Sequence, residues 1–184
     1  MIKDGIGGAN TQTGIAFEGK VDFIDTLRSL KDYKCELNPR SKGKSYWYDI
    51  YFKGKFVANS FKKHALYNYL ETQGVEWQKT LSKKLLPDDA IYVINKNTVF
   101  IIEIKHQEVA GSVDEKLQTC GFKLIQYKKL FAPLNHEVQY LYVLNNWFQK
   151  PEYKDTLDYI LHSNCGYYFN YIPLQKIGLP VPHK

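Results

Sequence analysis

Ala90-Ile91-Tyr92-Val93-Ile94, Asn95-Lys96-Asn97, Thr98-Val99-Phe100-Ile101-Ile102-Glu103-Ile104-Lys105: two apolar runs are joined by three polar residues. Aromatic and β-branched side chains dominate both runs, so each reads as a strand, and the short polar link makes them an antiparallel pair. Side chains two apart share a face of a strand, which sets Glu103 with Lys105 and turns Ile102 and Ile104 the other way. A turn near Lys96 brings the start of the first strand beside the end of the second. One carboxylate of Pro87-Asp88-Asp89 can therefore meet Glu103 and Lys105 on one sheet edge. The apolar run from Val99 to Ile104 sharpens the point, because burying charges there is costly unless they are used together.

Downstream, Ser112-Val113-Asp114-Glu115 is a capping box. It opens a helix in which Val113, Leu117, Cys120, Leu124, Tyr127 and Phe131 form one apolar stripe, within about 80° of arc. Lys116 and Lys123 fall at one margin of that stripe, in reach of the sheet edge. Val138 to Leu144 reads as a buried strand, Pro151 starts a helix to about His162, and Tyr167 to Ile172 forms a last strand. Upstream, Thr13 caps a first helix to about Leu30. Tyr46 to Phe52 and Phe56-Val57 form a hairpin about Lys53-Gly54-Lys55, and Asn59 or Ser60 caps a helix to Thr72 closed by Gly74. The order implies an α/β protein, a mixed sheet with helices on both faces.

The 184 residues, with 44% hydrophobic and 24% charged, fit one globular domain spanning 1–184, with the glycine-rich residues 1–13 as an arm or loop. A formal charge of +6 favours anionic partners, and aromatics at 15% place that charge on a folded surface. No apolar run is long enough to span a bilayer, and Met1-Ile2-Lys3-Asp4-Gly5 lacks a signal peptide's apolar segment. Cys35, Cys120 and Cys165 lack the close spacing of zinc or redox motifs, so they read as packing thiols in a reducing cytoplasm.

Two convergent carboxylates with no thiol or imidazole make a hard-oxygen site suited to Mg²⁺, with a lysine beside it to orient or deprotonate a water. Pro87-Asp88, fourteen intervening residues and Glu103-Ile104-Lys105 resemble the PD-(D/E)XK signature of nucleases that include many type II restriction endonucleases. The element order from the Thr13 helix to the last strand is similar to that family's αβββαβ core. Glu103-Ile104-Lys105-His106-Gln107 followed by Gly111-Ser112-Val113-Asp114-Glu115-Lys116-Leu117 also looks like restriction-enzyme sequences. The resemblance implies a type II site-specific deoxyribonuclease with catalytic Asp88, Glu103 and Lys105. Asp88 and Glu103 would bind one or two Mg²⁺, with Mn²⁺ able to substitute. Asp89 is the alternative to Asp88, and Glu18 on the first helix is a further ligand. The products would carry 5′-phosphate and 3′-hydroxyl ends.

The expected partners are double-stranded DNA, a second copy of the chain, since duplex DNA presents two scissile bonds related by near two-fold symmetry, and a cognate DNA methyltransferase in a prokaryotic or viral host cell. Gln107, Lys116, Arg40, Lys42, Lys44 and Asn10 are the expected DNA contacts, while His106, on the opposite face from Lys105, is structural. A structure-specific repair or recombination nuclease of the same fold, and a non-catalytic DNA-binding module, are the rival readings.

Overall fold

The computed structural model of the protein describes residues 14–16, 23–43, 45–109 and 113–182. Its centre is the expected strand pair, β5 (Asp89–Val93) and β6 (Thr98–Lys105), antiparallel with Asp89 opposite Ile102 and Val93 opposite Thr98. The link between them ends at Asn97, in the left-handed region at φ 48°, a conformation asparagine tolerates well. β6 is buried along most of its length, which is why its sequence is a continuous apolar run and not an alternating one.

On one side of this pair lie β2 (Tyr33–Leu37), β3 (Tyr48–Phe52) and β4 (Lys55–Phe61); on the other lie β7 (Glu137–Leu144) and β8 (Gly166–Phe169). The seven-stranded sheet has the order β2-β3-β4-β5-β6-β7-β8. Pairings are antiparallel from β2 to β6, and parallel from β6 to β7 and from β7 to β8. The β3–β4 turn, Lys53-Gly54, has both φ angles positive, at 49° and 75°, the twist that a tight hairpin demands.

Alternate residues of the central strands feed two apolar layers. Val99, Ile101, Tyr140 and Tyr142 face the layer supplied by α2 (Ala65–Thr72), α4 (Cys120–Phe131) and α5 (Lys154–His162). Phe100, Ile102, Leu141 and Val143 face the layer supplied by α1 (Phe23–Ser29) and by Leu174, Ile177 and Leu179. Helices therefore cover both faces of a mixed sheet. No helix among the described residues is long and apolar enough to cross a membrane. Cys35, Cys120 and Cys165 are all buried free thiols.

Several elements differ from expectation. Where the first helix should begin, Gly14–Ala16 forms a strand, β1, antiparallel to β9 (Tyr171–Pro173), and the described helix is only α1. The expected last strand is split into β8 and β9 by Asn170, at φ 64°. β2 was not anticipated. Asn59 and Ser60, the expected caps, lie within β4, and α2 begins at Ala65. The long helix after β6 is broken into α3 (Val113–Leu117) and α4. The cause is competition for carbonyls: the Tyr142 hydroxyl approaches Lys116 O and Leu117 O at 3.3 and 3.2 Å, and the Thr119 hydroxyl donates to Lys116 O at 2.8 Å. The apolar stripe survives the break, with Leu117, Cys120, Leu124, Tyr127 and Phe131 buried.

The register places many loops at one end of the sheet. Leu37 pairs with Tyr48, Tyr48 with Ser60, Phe61 with Ala90, Asp89 with Ile102, Lys105 with Leu144, and Leu144 with Phe169. That end carries the β2–β3 loop, Lys62 to His64, Pro87-Asp88 and the residues after β6. It is also where the parallel strands β6, β7 and β8 end, the position at which ligands commonly bind to open α/β sheets.

Candidate active site

Asp88 precedes β5 on a segment that is strapped down. The Tyr67 hydroxyl of α2 donates to Leu85 O at 2.9 Å and accepts the Leu85 N–H at 2.7 Å, and Pro87 O accepts the Lys63 N–H at 3.2 Å. Thus positioned, the Asp88 carboxylate replaces a backbone partner for β6, its Oδ2 accepting the Ile104 N–H at 2.9 Å. Glu103 and Lys105 emerge from β6 on the same face.

Lys105 Nζ lies 2.7 Å from Glu103 Oε2 and 3.7 Å from Asp88 Oδ2. The other oxygen of Glu103 is held from α4, with Lys123 Nζ at 3.2 Å from Oε1. Burial is uneven: the Glu103 side chain is 8% exposed and that of Asp88 40%. Glu103 is thus anchored in the protein while Asp88 meets solvent. Beneath them, burial, and after it the charge of Glu103, push the Tyr140 phenol far above its ordinary range, so it stays a neutral hydroxyl.

Strand alternation separates the two aspartates. Asp88 shares a face with Ala90, Glu103 and Lys105, whereas Asp89 has the parity of Ile91 and Val93 and belongs to the opposite face. There the nearly buried Asp89 has Lys62 Nζ at 3.9 Å. Asp88 is the aspartate that the geometry brings to Glu103.

The donor chemistry fits a hard divalent cation. Among the described residues no group of three or more His, Cys, Asp or Glu is arranged to hold a metal ion. An ion here would have Asp88 and Glu103 and would complete its shell from water and substrate oxygens, the usual manner of Mg²⁺. Glu18, Asn10 and Lys44 lie outside the described residues. Arg40 and Lys42 are exposed on the β2–β3 loop, and Lys116 is exposed on α3. Gln107 is buried: its Nε2 donates to Val109 O at 2.9 Å, and its backbone exchanges hydrogen bonds with the Asn145 amide at 2.9 and 3.3 Å. Gln107 therefore braces the loop after β6. His106 is exposed beside Glu108, at 3.3 Å.

A recess opens on each face of the sheet. On the face of Asp88, a groove of about 360 Å³ has aromatic walls that include Tyr51, Phe56 and Tyr92, with Arg40 and Asp49 among its polar lining. Asp49 is held by two amides, Asn59 Nδ2 at 2.6 Å and Asn38 Nδ2 at 2.8 and 2.9 Å. Near Asp89, a second recess of about 260 Å³ is lined by Tyr46, Tyr48, Lys62, Lys63 and His64. The role of Lys123 and the Asp49 cluster were both missed from sequence. Lys123 left a trace, its place at the margin of the apolar stripe, but the Asp49 cluster left none.

Compared with known proteins, the chain matches no family model, no curated protein and no solved structure.

Proposed function

We propose that the chain is a divalent-metal-dependent deoxyribonuclease of the PD-(D/E)XK type, a restriction-like enzyme that hydrolyses both strands of duplex DNA at a specific sequence as a homodimer. The observation that carries this is the meeting of Asp88, Glu103 and Lys105 within hydrogen-bonding and ion-pair distance where β5 begins and β6 ends. Asp88 and Glu103 would hold Mg²⁺, which supplies Lewis-acid stabilisation of charge on the phosphoryl oxygens. Lys105, on a side chain 20% exposed, directs a water at phosphorus and balances charge that builds there. Arg40, Lys42 and Lys62 lie at the same sheet end as the site and suit phosphate contacts, whose affinity falls with salt.

The defining test is a plasmid digest in Mg²⁺. Wild type should give discrete fragments, and EDTA should stop the reaction; smears or cutting only at branched DNA would replace the restriction reading with a repair nuclease. The two aspartates provide an internal control. Asp88→Asn should lower the cleavage rate at least ~10²-fold, the scale of losing one preorganised charge at a reaction centre. Asp89→Asn, on the other face, should stay within about tenfold of wild type. Equal loss in both variants would remove Asp88 from its special place.

The groove beside Asp49 is suited to a base edge, because a carboxylate accepts from the exocyclic amine of cytosine and aromatic walls take a base face. Asp49→Ala should therefore relax discrimination between cognate and singly mismatched sites by about 1–3 kcal/mol, roughly 5- to 150-fold. Competition binding with the two duplexes measures it. An unchanged ratio would reduce the Asp49 cluster to a brace for the β2–β3 loop.

A further inference from the structure

Glu103 is gripped at both oxygens, and the second grip is unusual for where it comes from. Lys123 lies in the first turn of α4, its N–H donating to Thr119 O at 3.1 Å, and that turn contains no acidic residue. A cation is disfavoured at the positive end of a helix, so α4 gains nothing from a lysine there for its own sake. The ammonium is spent on the site instead: 3.2 Å from Glu103 Oε1, and 6.0 Å from the centroid of the Tyr140 ring. Its side chain remains 25% exposed, so it can reach a ligand that enters from solvent.

Charge makes the case specific. Asp88 and Glu103 carry two negative charges, and Lys105 and Lys123 two positive ones, so the cluster is neutral by itself. A divalent cation raises it to two positive. A phosphodiester brings one negative charge, and hydroxide attack on phosphorus brings a second. The cluster thus matches the dianionic transition state only when both lysines are present; with Lys105 alone it matches the ground state. Interactions stronger in the transition state than in the ground state are the ones that raise the rate.

We propose that Lys123 is a second catalytic cation, holding Glu103 in the free protein and turning to a non-bridging phosphate oxygen as charge builds on phosphorus. The role rests on the hydrolytic reading above. In the step concerned, the water oxygen forms the new bond to phosphorus and its proton passes to solvent. The phosphorus–O3′ bond breaks with its electron pair on O3′, which takes a proton from solvent. The products are a 5′-phosphate and a 3′-hydroxyl.

The test uses the full chain, with Lys123→Met and Lys123→Arg, and reads metal binding apart from activity. Lys123→Met removes a cation that competes for Glu103 Oε1, so calorimetric titration with Mn²⁺ alone should show about fivefold or more tighter binding, the direction Coulomb's law requires. The same variant should cleave about 10²-fold more slowly in a single turnover at saturating Mg²⁺. Lys123→Arg should cleave within about tenfold of wild type, since it restores the charge. Weaker metal binding together with slower cleavage, or cleavage by Lys123→Met within about threefold of wild type, would overturn the proposal. A wild-type protein that cuts no DNA would instead overturn the nuclease reading, whatever Lys123→Met does to metal binding. A thermal melt of each variant guards against misfolding, and a Lys123→Arg protein that melts like wild type yet cleaves 10²-fold slower also counts against the role.

Discussion

Glu103→Gln should reduce DNA cleavage by at least ~10³-fold while leaving the protein folded, and its loss should not be recovered by added Mg²⁺. Glu103 is the one acid in the cluster that is nearly buried, with Lys105 at 2.7 Å and Lys123 at 3.2 Å. The substitution keeps its volume but removes the charge that holds both ammoniums and would hold the metal. Loss of a single preorganised group at a reaction centre costs 10²–10³-fold, and here one residue serves three partners. Stability should suffer less. The lysine side chains are 20% and 25% exposed, so their ammoniums can turn to water and avoid the full penalty of a stranded buried charge. The expected loss is about 1–3 kcal/mol. Single-turnover cleavage and urea unfolding measure the two quantities separately. Near wild-type cleavage by the variant would dissolve the proposed site, and loss of folding would show Glu103 to be structural.

Phe100→Ala should have the largest effect on stability. Phe100 is fully buried on β6, an interior strand of the sheet, paired with Ile91 on one side and Gln139 on the other. It belongs to the layer between the sheet, α1 and the segment containing Leu174 and Ile177. Truncation leaves a cavity that surrounding strands cannot close without breaking register, at a cost of about 3–5 kcal/mol. For a chain of this size that lowers Tm by roughly 6–20 °C. Because Phe100 points away from Glu103, the chemistry should persist at temperatures well below the melt. A Tm within about 3 °C of wild type would mean that this layer relaxes into the space and is less tightly packed than its burial indicates.

What could be read from the sequence follows from distance along the chain. The β5–β6 hairpin is local, so its register, and with it the meeting of Pro87-Asp88 with Glu103 and Lys105, follows from two apolar runs and a short link. The choice between Asp88 and Asp89 needed to know which of them pairs across the sheet, and only the observed Asp89–Ile102 partnership decides it. The helix after β6 has a correct apolar stripe but an unforeseen break, because its carbonyls are captured by Tyr142, a residue from a later strand. The Asp49 cluster joins side chains of β3, β4 and the end of β2, and no periodic pattern announces a contact of that kind. Asn59 is instructive: as a polar residue before a helix it has the look of a cap, yet it is buried in β4 where Asp49 satisfies it.

The pairing of β1 with β9 bears on the order in which the molecule is made. Among the described residues β1 pairs with β9, where Ile15 lies opposite Ile172, and α1 packs in the layer that Ile172, Leu174, Ile177 and Leu179 complete. A ribosome releases the early segment long before the late one exists, so β1 must wait without its strand partner and the layer that holds α1 stays incomplete. Contacts of such separation are slow to form because loop closure precedes any gain from them. The β5–β6 hairpin, by contrast, can form as soon as it emerges. The half of the protein that carries Glu103 and Lys105 can thus begin to assemble early in synthesis, while the opposite face is sealed last.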